Sequence, residues 1–208
     1  MMTFLKRNYL WIILFGSLIG LNETLIGSIN MPYRSVVLSS ITLFLLSLAR
    51  YYFPKKGASL LIISIAVLFK TNSAGLHTCT TNALLCGPTA LLLLGIGHEI
   101  FASVFIGNKS FKYSNYILTS VLTSITMFGA FAVLQTYILG SWDTARLVSY
   151  TFVKGSLTAI ASGAISIVVI YLIRRFKGVS YERLNPYFFN GIIGCVIIAL
   201  WLIGFYST

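Results

Sequence analysis

A 208-residue chain that is 57% hydrophobic and 9% charged, with a mean hydropathy of +0.89, is too apolar for a soluble domain, where about a quarter of residues are charged. Fifteen basic residues against four acidic ones give a net charge of +11, but the cations are scattered over the ends of apolar segments, which excludes a nucleic-acid surface and makes them markers of membrane topology. The expected fold is an all-α polytopic transmembrane helical bundle forming a single transmembrane domain over residues 1–208, with a six-helix core over about 1–175 and an extra C-terminal helix over about 187–206. No cofactor is expected. Three cysteines, Cys79, Cys86 and Cys195, form no CxxC pair and imply neither a disulfide framework nor a zinc site.

The apolar segments run at roughly 9–29, 35–53, 57–70, 83–106, 115–140, 150–173 and 187–206, most of them matching the ~20 residues that a ~30 Å hydrocarbon core requires. The first is preceded by Lys6 and Arg7 and continues to Ile29 without a small-residue cleavage site, so it reads as a retained helix and not as a leader. It contains Asn22 and Glu23, and a carboxylate at membrane depth is costly unless it is paired, protonated or facing water. Gly16 and Gly20 mark one face for close helix approach, either to another helix of the chain or to a partner subunit.

The third segment is short. Placing the N-terminus in the cytoplasm puts eleven of the fifteen basic residues inside, including Arg50, Lys55, Lys56 and Lys109, and leaves Arg34, Lys70, Arg146 and Lys154 outside. Two crossings must then lie between the Lys55 and Lys109 loops, so the third segment spans, extended through Thr71 or with the bilayer thinned. The expected localisation is a multi-pass cell-membrane protein with a cytoplasmic N-terminus and an outer C-terminus.

With that topology Asn22, Glu23, Arg34, Lys70 and Lys154 share the outer depth. One acid cannot satisfy three cations, so they suggest either an outward polar site for a small ligand or an ion pair that fixes packing. The loop at residues 71–82 is uncharged and dense in hydrogen-bonding groups, with His77 and Asn82 as candidate ligand contacts, and serves as a lid or as a plain connector. The pair Gly87-Pro88 predicts a kink or a half-unwound entry to the fourth helix. Adjacent His98 and Glu99 point about 100° apart; Glu99 is a candidate proton site, an ion-pair partner for Lys109 or Arg50, or a contact to another subunit. In the sixth segment Gly155, Ala159 and Gly163 repeat at helical spacing as a packing seam. Trp142, Tyr137 and Tyr33 suit either stacking on a heterocycle or anchoring at the interface.

The stretches Phe53-Pro54-Lys55-Lys56-Gly57-Ala58, Ala83-Leu84-Leu85-Cys86-Gly87-Pro88 and Gly95-Ile96-Gly97-His98-Glu99-Ile100-Phe101 resemble the substrate-binding S components of energy-coupling-factor importers, of the hydroxymethylpyrimidine/thiamine type. The resemblance implies a subunit that captures a vitamin-like nutrient from outside and delivers it by toppling in the bilayer. A transmembrane coupling subunit and two cytoplasmic ATPases would drive that movement. It further implies ligand contacts near Arg34, the 71–82 loop, Trp142 and Lys154, and coupling-subunit contact through Gly16 and Gly20. The family core has six helices, so the last apolar segment is an addition. The chain carries no Walker A motif, so it is not expected to be an enzyme, and ATP hydrolysis would fall to partners. Two other classes fit the residues: a proton-coupled carrier using Glu23 or Glu99, and a membrane enzyme or assembly subunit using His77, Cys79 or Glu99.

Overall fold

The computed structural model describes residues 2–29, 31–74, 81–106, 112–138, 142–175 and 186–206. Its helices are α1 (Met2–Ser28), α2 (Arg34–Tyr52), α3 (Ala58–Ala74), α4 (Thr81–Phe105), α5 (Tyr113–Val133), α6 (Thr144–Val148), α7 (Gly155–Arg175) and α8 (Pro186–Tyr206). A π turn, Leu134–Ile138, prolongs α5, and a second, Ser149–Lys154, joins α6 to α7 without a break, so the described helices form one rod for each apolar segment. Stretches of α1, α2, α4, α5 and the α6–α7 rod are long and apolar enough to cross a membrane; the apolar parts of α3 and α8, Ala58–Asn72 and Asn190–Tyr206, are shorter. The chain is an all-α membrane bundle.

Local chemistry explains where the rods depart from the apolar runs. The sixth begins at Thr144 and not near 150, because Asp143 is its N-cap and accepts a hydrogen bond from the Arg146 N–H at 2.7 Å. α3 continues past the apolar run that ends at Lys70, as far as Ala74. Neither a break nor an unwound entry occurs at Pro88: α4 is continuous helix through it, although the proline has no N–H to donate to the preceding turn. Between α2 and α3, Pro54 disfavours helix at Phe53, and Gly57 at φ +85° supplies the left-handed residue from which α3 starts.

The packing order differs from the chain order. α1 lies against α3, α3 against α4, α4 against α5, α5 against α7, α7 against α2, and α2 closes on α1, giving a six-membered ring. The hydrophobic centre of one half joins Phe15 and Ile19 of α1, Leu46 and Ala49 of α2, Ile62, Ile63 and Ala66 of α3, and Leu91 of α4. α8 stands outside the ring, over α1 and α3. Phe69 of α3 is the wedge that seats it, its ring 4.8 Å from that of Trp201, and the Trp201 indole N–H donates to Ser17 Oγ at 2.9 Å.

Gly16 and Gly20 belong to the α1–α3 seam. A Cβ at Gly16 would stand 2.7 Å from Ile65, and one at Gly20 would stand 2.5 Å from Phe69, so α3 occupies the small-residue face expected to meet a coupling subunit. α1 also packs on α2 and α8.

Candidate functional site

The bundle buries polar groups at both ends. At the end where α2 turns into α3, Arg50 in the last turn of α2 is 1% exposed and its guanidinium lies 3.4 Å from Glu99 of α4. Gly57 has no side chain with which to cap α3, and Glu99 does the capping from the neighbouring helix. Oε1 accepts from the Gly57 N–H at 2.7 Å and Oε2 from the Ser59 N–H at 3.1 Å, where the α3 dipole favours an anion. Ser103, one turn beyond Glu99, donates to Oε1 at 3.0 Å and accepts from Arg50 Nη2 at 3.4 Å. Arg50 also donates to the Lys55 carbonyl and so holds the intervening turn.

His98 points elsewhere, as adjacent positions on a helix must. It is wholly buried between Ser59 Oγ, 3.0 Å from Nδ1, and Ser47 Oγ, 3.3 Å from Nε2. One ring nitrogen donates and the other accepts, so a neutral imidazole satisfies both serines. Of the roles expected for Glu99, the geometry realises the ion pair with Arg50. Glu99 is 9% exposed and its carboxylate is bonded on both oxygens within the bundle.

The opposite end is built differently. Glu23 of α1 is partly buried and its carboxylate has no hydrogen-bond or ion-pair partner among the described residues. The charges of Lys70 and Arg34 both act on it through space. Each donates to main chain, Lys70 Nζ to the Glu23 carbonyl at 2.9 Å and Arg34 Nη1 to the Gly27 carbonyl at 2.9 Å. Both cations therefore sit at the negative end of the α1 dipole. Glycines leave room around the lysine, since a Cβ at Gly27 would stand 3.4 Å from Nζ and one at Gly87 3.8 Å from Cε. Asn22, 9% exposed, donates from Nδ2 to the Leu38 carbonyl at 3.3 Å, while its Oδ1 is shielded and unpartnered.

Trp142 and Lys154 lie apart from this group, on the α5–α7 side of the ring. The Trp142 ring is 4.7 Å from that of Tyr150 and 5.9 Å from that of Phe131; Arg146 lies over Trp142 at 4.7 Å and Lys154 over Tyr150 at 5.0 Å. The expected convergence of Glu23 with Lys154 does not occur, because α1 packs on α2, α3 and α8 whereas the Lys154 turn packs on α5, α6 and α7. His77 and Cys79 lie outside the described residues, and of Asn82 only its place in the first turn of α4 is described. Among the described residues no group of histidine, cysteine, aspartate or glutamate side chains is arranged to hold a metal ion.

Residue-by-residue reading of charges overlooked the hydroxyls. Ser40 of α2, Ser120, Thr123 and Ser124 of α5, and Thr158 and Ser166 of α7 are all at most 4% exposed. Their i, i+3, i+4 and i+8 spacing within α5 and α7 was the available signal.

No family model matches the chain, and neither a curated protein nor a solved structure matches it.

Proposed function

We propose that this chain is a membrane transport protein that captures a small polar, vitamin-like nutrient at the end of the bundle holding Glu23, Lys70 and Arg34, and that this end faces outside. The observation that carries the reading is the Glu23 carboxylate. It lies at membrane depth, within the fields of two cations, yet no side chain or main-chain donor among the described residues satisfies it. A carboxylate so placed is a ligand contact in waiting, since a donor on the ligand would replace the missing partner. Asn22 Oδ1, also unpartnered, offers a second acceptor one residue away.

The proposed mode of action is that of an S component, with energy supplied by a coupling subunit and an ATPase pair. What supports it is the resemblance over residues 50–105 together with a six-helix ring. The contact with a coupling subunit would then use a surface other than the Gly16–Gly20 face, which α3 fills. A carrier that cycles protons on Glu99 is disfavoured, because moving that carboxylate would strand Arg50 and uncap α3.

Native mass spectrometry of the purified protein tests capture: a retained small molecule is expected in the wild type and lost in Glu23→Ala and Lys70→Ala, but kept in Lys109→Ala. Equal retention in all three variants would refute the assignment. Co-purification with a coupling subunit and ATPases tests the energy source; uptake by the protein alone in liposomes would favour a secondary carrier.

A further inference from the structure

We infer that α2, α5 and α7 enclose a buried site for small neutral hydrogen-bonding molecules, lined by Ser40, Ser120, Thr123, Ser124, Thr158 and Ser166. The hydroxyl oxygen of each is shielded from solvent and has no hydrogen-bond partner among the described residues. Serine and threonine within a helix ordinarily satisfy themselves by donating to the carbonyl one turn back. Neighbours do so: Thr119 of α5 donates to the Asn115 carbonyl at 2.8 Å, and Thr151, in the turn that leads into α7, to the Leu147 carbonyl at 2.9 Å. Native proteins leave only a few buried polar groups unsatisfied per hundred residues. Six on three packed helices call for an occupant.

Register brings the hydroxyls together. Gly155 at the start of α7 lies beside α5, where its Cβ would stand 3.6 Å from Ile125 Cα and 3.7 Å from the Ser124 carbonyl. At the far end Ile170 of α7 packs with Tyr116 of α5, and Tyr51 of α2 packs on the same cluster. The helices α5 and α7 run antiparallel between those two anchors, which puts Thr158, less than one turn from Gly155, near the Ser124 end of the α5 hydroxyls. Counted from that cluster, Ser120 and Ser166 stand about 6 Å above it, Thr123 and Ser124 about 11–12 Å and Ser40 and Thr158 about 16–18 Å, so the hydroxyls follow one another along the seam of the three helices. Gly163 adds space on this face of α7: it is buried, yet no neighbouring atom comes within 4 Å of the place its Cβ would take.

The lining sets the class of occupant. Six hydroxyls offer donors and acceptors but no formal charge, so ions are disfavoured while water or a small polyol is matched. A buried water needs two to four polar partners, and this cluster supplies them. Its lining differs from that of the Glu23 end, since none of the six hydroxyls is on α1.

A structure of the protein in nanodiscs, at a resolution that shows ordered water, is expected to reveal non-protein density within hydrogen-bonding distance of Thr123 and Thr158. Thr123→Val/Thr158→Val keeps the shape but removes two partners; it is expected to lose that density and to lower the unfolding midpoint by about 4 °C or more. If that variant fails to fold, Ser120→Ala alone is expected to lower the midpoint in the same direction. Native mass spectrometry separates the sources: density without a retained mass assigns water, and density with a retained neutral mass assigns a solute. A dry seam in the wild type, or a midpoint unchanged or raised by the valine or alanine substitutions, would overturn the inference, as would a bound ion.

Discussion

Glu99 and Glu23 are the same residue type, both within membrane-spanning helices, and the bundle treats them in opposite ways. Glu99 is given an arginine, two main-chain N–H groups and a serine hydroxyl. Glu23 is given two nearby cations that each donate to a main-chain carbonyl, and its carboxylate has no partner among the described residues. A carboxylate that closes a helix end and neutralises a buried guanidinium explains itself by structure alone. One that has no partner among the described residues, beside positive charge, does not, and the contrast separates a structural clamp from a candidate binding group better than burial or depth could.

The comparison can be broken at its strongest point first. Glu99→Ala strands Arg50 and leaves the Gly57 and Ser59 N–H groups without acceptors, so a loss of about 3–5 kcal/mol is expected, read as reduced yield and a lowered thermal midpoint in detergent. Gly20→Val follows, with an expected loss of about 1–3 kcal/mol, because Phe69 is held between Gly20 and α8 and cannot retreat; an unchanged midpoint would mean that α1 and α3 do not pack as described. Gly57→Ala should cost about 1 kcal/mol through its φ of +85° alone, since nothing lies near its Cβ, and a stabilising result would contradict the left-handed start of α3. Glu23→Gln should change stability least, by no more than about 0.5 kcal/mol, while removing the retained ligand.

Much of the fold was legible because apolar runs and basic turns are explicit in the residues. The six-helix core with a further helix, the turn at Pro54–Gly57 and the ion-pair role of Glu99 could all be named. Choosing Arg50 over Lys109 as its partner required knowing that the last turn of α2 lies beside α4. The same kind of information was missing for Lys154: charge and depth placed it with Glu23, but α1 neighbours α3 and not the sixth rod, and helix adjacency is decided by side-chain fit across seams such as Gly20–Phe69. The glycine pair was read as a close-approach face, yet its occupant follows only from packing. The buried hydroxyls went unnoticed for a different reason. Serine and threonine are nearly neutral in hydropathy, so a stripe such as Ser120-Thr123-Ser124 does not interrupt an apolar run.

Glu23→Gln and Glu99→Gln, purified side by side, provide the most direct measurement: the thermal unfolding midpoint and the retained small-molecule mass of each, against wild type. The expected result is a large fall in midpoint for Glu99→Gln, and for Glu23→Gln a wild-type midpoint with the retained molecule lost. A Glu23→Gln protein that unfolds as early as Glu99→Gln, or that keeps its molecule at wild-type occupancy, would contradict the division between clamp and capture site.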